Sequence, residues 1–253
     1  MKFAFKSIVA AAAFVAAGVA SAANVTVAVG GTYNGLKLDS GSGALSFSTT
    51  LIGALNASGT VVSAVAPATA DIVLNAKGTA YKSVSVAAPF VSLVADTATN
   101  SVVAALTTGG ALQTTEDDGF TNTGGSLSIT NINADLVAKK VFVTLTGANG
   151  VGTLNNFYLW DIGTIGGSTT LAAGTTTTTL SGLSITTAGF NAFSTALGLT
   201  TAGKNALSTV TDFGTITSTV VASTVPSVPE PSTYALMGLG LVGISLVARR
   251  RAK

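Results

Sequence analysis

In the stretch SLSITNINADLVAKKVFVTLTGANGVGTLNNFYLWDI, residues 126–162, apolar side chains recur at every second position. A period of two puts alternate residues on opposite faces of a pleated strand, whereas a helix needs a period near 3.6. Leu127 and Ile129 keep one phase, and Ile132, Ala134 and Leu136 keep the other. The slip at Asn131 predicts a β-bulge. Lys139-Lys140 predicts a polar turn into an inward face of Val141, Val143 and Leu145. Asn149-Gly150 predicts a second turn into a strand over Phe157–Ile162, with Tyr158, Trp160 and Ile162 on one face. Such a meander buries one face only, so the chain must supply a second layer or close on itself.

The rest of the body carries the same punctuation. VTVAV (Val25–Val29) precedes Asn34-Gly35, a type I′ hairpin signal, and YKSVSVAA sets Val84 and Val86 opposite Ser83 and Ser85. Residues 23–221 therefore read as an all-β domain, a sandwich or roll of antiparallel strands. A small helical insertion is predicted near residues 187–210. There Phe190, Phe193 and Leu197 fall at helical spacing behind an N-cap at Thr186 or Thr187, and a second TTAG precedes Leu207 and Val210. Asp212–Val221 returns to strand, and residues 222–227, ASTVPS, have the composition of a spacer. Gly174–Leu180, GTTTTTL, favours extended backbone and suits an exposed strand, a linker, an O-glycosylated tract or a Thr row against ice or a carbohydrate lattice.

Composition removes whole classes of chemistry. The 253 residues include no Cys and no His, which excludes disulfides, thiolate nucleophiles, Cys-ligated metals and every Ser-His-Asp or Cys-His mechanism within this chain. Charged residues are 9% of the chain, where about 25% is usual. Between Asn24 and Pro226 six lysines face nine carboxylates, a net of −3, and there is no Arg. A phosphate-neutralising patch is missing, so no nucleic acid is expected as partner. No cofactor is expected either.

Both terminal segments read as addresses. Residues 1–22 place Lys2 and Lys6 before an apolar run and end in Ala20-Ser21-Ala22, the layout of a helical signal peptide read by the Sec translocase and cut after Ala22. Tyr234–Ala248 is apolar but spans about 22 Å as a helix, short of the roughly 30 Å hydrocarbon core. Arg249, Arg250 and Arg251 then act as a membrane stop on the cytoplasmic side.

Val228, Pro229, Glu230 and Pro231, followed by this hydrophobic helix and the Arg cluster, make residues 228–253 similar to a PEP-CTERM sorting signal of Gram-negative bacteria. That resemblance implies an exosortase, a Cys protease-transpeptidase of the inner membrane, cutting near Pro-Glu-Pro. It also implies an organism that makes exopolysaccharide, biofilm or floc, and the same kind of tail is carried by ice-binding proteins. The chain would be held transiently at the inner membrane, then reach the cell surface or exterior. Separately, LSITTAGFNAFSTALG resembles a strand-to-helix passage in domains of bacterial haem-uptake surface proteins. With His absent, only Tyr33, Tyr81, Tyr158 or Tyr234 could ligate haem iron.

Candidate chemistry in the body is sparse. Glu116, Asp117 and Asp118, before Gly119, form the one dense acidic cluster, suited in type to Ca²⁺ but lacking D-x-[DN]-x-[DN]-G spacing; a solvated loop tip is the plainer reading. Asp135 with Asp161 is a conceivable glycosidase pair, and Trp160, the one Trp, reads as core. The expectation is a non-enzymatic structural protein of the envelope or extracellular matrix, with extracellular polysaccharide as a partner. The alternatives are a binding module for carbohydrate, ice or haem and, second, a polysaccharide hydrolase.

Overall fold

The computed structural model describes residues 24–226, 236–239 and 241. Residues 1–22, the motif Val228–Pro231 and Arg249–Arg251 lie outside the described residues. So does Tyr234. Of the C-terminal apolar run, 236–239 and 241 are helical and exposed. Among the described residues no helix is long and apolar enough to cross a membrane.

The elements follow in the order β1 (Asn24–Ala28), β2 (Thr32–Tyr33), β3 (Leu36–Phe47), α1 (Thr49–Ala57), β4 (Val61–Val65), β5 (Thr69–Leu74), β6 (Tyr81–Asp96), β7 (Ser101–Thr107), β8 (Gly110–Thr115), β9 (Gly125–Asp135), β10 (Lys140–Gly147), β11 (Gly152–Gly167), β12 (Gly174–Ile185), α2 (Thr187–Ala196), α3 (Thr201–Ser208) and β13 (Gly214–Thr224). The fold is all-β, and the sheet closes into a roll. Antiparallel ladders run β6-β3-β13-β12-β11-β10-β9, and β7 completes the ring by pairing with both β9 and β6. Closure removes the unpaired edges that a flat sheet of this width would expose. The long β6 shares one edge between β5 and β7 and the other between β3 and β1.

The alternation that opened the sequence is the burial pattern of this ring. Leu127, Val141 and Leu145 are fully buried, each contributing about 1.5–3 kcal/mol by area. Asn131 sits at φ 51°, where Asn is tolerated better than most residues, and the β9–β10 register slips there as expected. A second bulge, unread in the sequence, sits at Asn156 with φ 49° against the same part of β10. Asn34-Gly35 forms the expected tight turn, with φ 47° and 74°, joining Tyr33 to its partner Leu36.

Four expectations are corrected. Lys140 opens β10 and the turn occupies residues 136–139, because Asp135 Oδ1 accepts the Val137 and Ala138 amides at 3.0 and 2.8 Å. Tyr158 does not share the face of Trp160. Leu159 is an extra residue against β10, so Leu159 and Trp160 are both buried and Tyr158 turns outward beside Phe142, with ring centroids 5.5 Å apart. Helix α1 is an addition to the expected insertion; Ser48 caps it through the Leu51 amide at 3.1 Å, and Leu51, Ile52 and Leu55 are buried. Finally, residues 222–224 are not spacer. Their polar composition hides a strand in which Ala222, Ser223 and Thr224 pair with Leu38, Lys37 and Leu36, and Ala222 is buried.

The helices seal one pole of the roll. Leu51, Leu55, Phe193, Leu197 and Leu207 join Trp160 and Phe213 in one apolar cluster. Thr186 and Thr200 cap α2 and α3 through the Gly189 and Gly203 amides, each worth about 1 kcal/mol. A second cluster around Leu38, Phe90, Leu93 and Val220 fills the other half. Gly41 is required there, because a Cβ would stand 2.3 Å from the Phe90 ring.

Candidate functional sites

The two boundaries of the folded body meet at the pole away from the helices. β3 runs from Leu36 into the α1 cap, and β13 leaves α3 antiparallel to it, so Gly214 lies against Phe47 and Thr224 against Leu36. Asn24 pairs with Asp96, to whose carbonyl Tyr33 donates at 3.3 Å. Asn100 Oδ1 accepts from the Tyr33 hydroxyl at 3.1 Å and from Asn34 Nδ2 at 3.0 Å, tying the turns together. The last bond of the sheet runs from the Val225 amide to the Gly35 carbonyl, 2.8 Å. The sequence motif at Val228–Pro231 follows directly.

The opposite pole carries the acidic loop. Asp118 Oδ1 accepts the amides of Phe120, Thr121 and Asn122 at 2.8, 2.7 and 3.0 Å, and the Thr121 hydroxyl donates to Oδ2. The Thr121 hydroxyl, then the Asn122 and Phe120 amides, hold this exposed carboxyl well below the usual carboxylate range. Asp117 in turn accepts the Gly119 amide at 2.8 Å. The two carboxylates shape the loop that displays Phe120, 72% exposed. Among the described residues no three His, Cys, Asp or Glu side chains gather closely enough to hold a metal ion.

Asp135, Lys140 and Asp161 form one cross-strand row on the outer face of β9, β10 and β11. Lys140 Nζ stands 4.5 Å from the centroid of the Tyr158 ring, and the Tyr158 hydroxyl donates to Asp161. That hydrogen bond, then burial and the charge of Asp161, push the phenol up to about 12. The two carboxylates thus flank a lysine, and each accepts hydrogen bonds from its own neighbourhood. Tyr33, Tyr81 and Tyr158 all have their hydroxyls engaged, Tyr81 accepting the Val62 amide at 2.9 Å. Trp160 is core, 6.2 Å from the Phe213 ring.

The threonine run belongs to a central strand: β13 pairs along all of it, and β11 pairs from Thr178 onward. Thr178 points inward and is buried, while Thr175, Thr177 and Thr179 point outward. Across the strands they extend into rows: Thr177 with Thr219 and Ser42, Thr179 with Thr217, Ala44 and Ala87, and Ser181 with Thr215, Ser46 and Ser85. Apart from Ala44 and Ala87, these rows carry hydroxyls at the strand spacing of about 4.8 Å, and none of the named residues is charged. No sequence signal beyond the Thr run marked β13 and β3 as partners in this face. A cleft of about 360 Å³ opens between β4 and β5 over Leu55, Ile72 and Tyr81, which the sequence did not reveal.

Comparison with protein families matches residues 227–251 to a PEP-CTERM protein-sorting motif. The chain carries a PEP-CTERM sorting motif. Such a motif implies an exported protein, processed by an exosortase and passed across the membrane to the cell surface. No curated protein and no solved structure matches the chain. The PEP-CTERM match begins two residues beyond Val225, the last residue bonded to the sheet.

Proposed function

We propose that this chain is a structural component of the envelope or extracellular matrix of a Gram-negative bacterium, exported by the Sec translocase and released from the inner membrane when exosortase removes its tail. The observation that carries the reading is the junction: the sheet bonding of the closed roll runs to Val225 and the sorting motif starts at 227. Among the described residues the apolar clusters draw all their members from 24–226, which supports a body that folds without its tail. The tail then supplies address alone, and the roll supplies material. Low charge and outward hydroxyls give the roll a neutral surface suited to packing beside neutral polymer. Deleting Tyr234–Lys253 tests this. The truncated chain is expected to keep the strand signature of the roll in circular dichroism yet be missing from the surface and matrix fractions. Arrival at full-length levels would refute the proposal.

One observation favours a second reading, a binding module for neutral carbohydrate: the in-register hydroxyl rows on β12, β13 and β3. Thr177→Lys with Thr219→Lys would abolish retention on the native exopolysaccharide if this face binds it, and would leave retention unchanged if it does not.

A further inference from the structure

We propose that the folded body pairs with a second copy of itself at the helical pole, the Phe120 ring of each copy entering the cleft between β4 and β5 of the other. The pairing is independent of how the tail is processed. The knob is already built. Asp118 gathers the Phe120, Thr121 and Asn122 amides, and the Thr200 hydroxyl donates to the Phe120 carbonyl, so the loop is fixed on both sides while the ring stays exposed. A ring held in water gains by burial, and a main chain already ordered has little entropy left to lose when a partner buries it. The hole lies beside the knob. Asn122 Nδ2 donates to the Ser58 carbonyl at 3.0 Å, which ties the loop to the turn whose next residues, Gly59 and Thr60, form one lip of the cleft.

Nothing charged lines that cleft of about 360 Å³; Leu55, Val61, Ile72, Leu74 and Tyr81 give it apolar walls. Val61 and Leu74 are 56% and 44% exposed at its mouth, so the roll leaves them for something else to cover. Charge favours a second copy as the cover. The knob loop carries Glu116, Asp117 and Asp118, the dense acidic cluster of the body. Lys77 precedes Gly78 and Lys82 follows Tyr81, both residues of the cleft wall, and Asp71 is the carboxylate of the neighbouring β5. Two lysines less one carboxylate leave the rim at +1, so a knob entering the hole brings negative charge to a positive rim. Knob and hole sit side by side on one pole, so a two-fold axis between two copies fills both holes at once and closes the assembly as a dimer.

Sedimentation equilibrium of the protein purified from the producing bacterium tests the pairing. The unmodified protein should dimerise as its concentration rises. Phe120→Ala leaves the main-chain bonds of the loop in place and should weaken the dimer about tenfold or more. Val61→Glu, at an exposed position on the lip, puts a carboxylate in the hole and should weaken it as much. Circular dichroism should show the same sheet in both variants. The deciding sample is their equal mixture. The Phe120→Ala chain keeps its hole and the Val61→Glu chain keeps its knob, so a mixed dimer alone has one complete contact. The mixture should therefore associate more tightly than either variant by itself. Overturning results are a protein still monomeric at about 1 mM, where even a weak specific contact would show, a dimer indifferent to Phe120→Ala, or a mixture no tighter than its parts. A pole that serves a different protein would give the first of these.

Discussion

The two ends of β13 are secured by different means. At Gly214 the strand is held from every side: Asp212 Oδ1 accepts the Leu183 and Gly214 amides at 3.1 and 2.8 Å, the Ser48 hydroxyl donates to the Asp212 carbonyl, and Phe213 is buried against Trp160 and Phe193. At Thr224 the strand is paired along one edge, its side chains are exposed, and the sorting motif begins within three residues. One strand thus runs from a buried, many-sided anchorage to the end that adjoins the sorting motif. The difference separates what keeps the roll folded from what lets it be delivered.

Substitutions along that strand sharpen the contrast. Phe213→Ala removes the ring between Trp160 and Phe193 and should cost about 3–5 kcal/mol in urea unfolding; a loss below about 1 kcal/mol would place the stability elsewhere. Asp212→Ala strips two amides of their acceptor and should cost about 1–3 kcal/mol by the same measurement. Thr186→Ala, which uncaps the helix packed over this end, should cost about 1 kcal/mol. At the far end, Thr224→Ala should change global stability by less than about 0.5 kcal/mol. Hydrogen exchange at the Val225 amide should nonetheless run far faster than at Ile216, by local opening of the strand end.

Acid offers a last and smallest probe, confined to the helical pole. The Asp118 carboxyl is depressed from its ordinary 3.8, so its contribution is present above that value and is lost only as pH falls through the depressed one. The Phe120, Thr121 and Asn122 amides should keep their NMR shifts down to pH 3.8 and move only well below it. Movement between pH 5 and 4 would mean that the loop is not organised by Asp118.

The sequence disclosed local structure better than closure. Alternation at Leu127–Leu145, the bulge at Asn131 and the cap at Thr186, one of the two positions offered, are short-range signals that stand where they were read. The ring depends on β7 pairing with β9 as well as with its hairpin neighbour β6, and on β13 pairing with β3, contacts between residues far apart in the chain that no periodicity encodes. Leu159 was missed because one inserted residue inverts the facing of all that precede it. The end of β13 was missed because Ser and Thr look the same in a spacer as in a strand whose partner is remote. Of the candidate site, the tail was legible as a sorting motif over 227–251, whereas the point where the sheet ends before it needed the register of β13 with β3.

Mass spectrometry of the C-terminus in protein recovered from the cell surface or medium bears most directly on the division between a durable roll and a disposable tail. The expected spectrum contains peptides through β13 to near Pro231 and none that include Arg249–Arg251. Surface protein that still carries those arginines would contradict it.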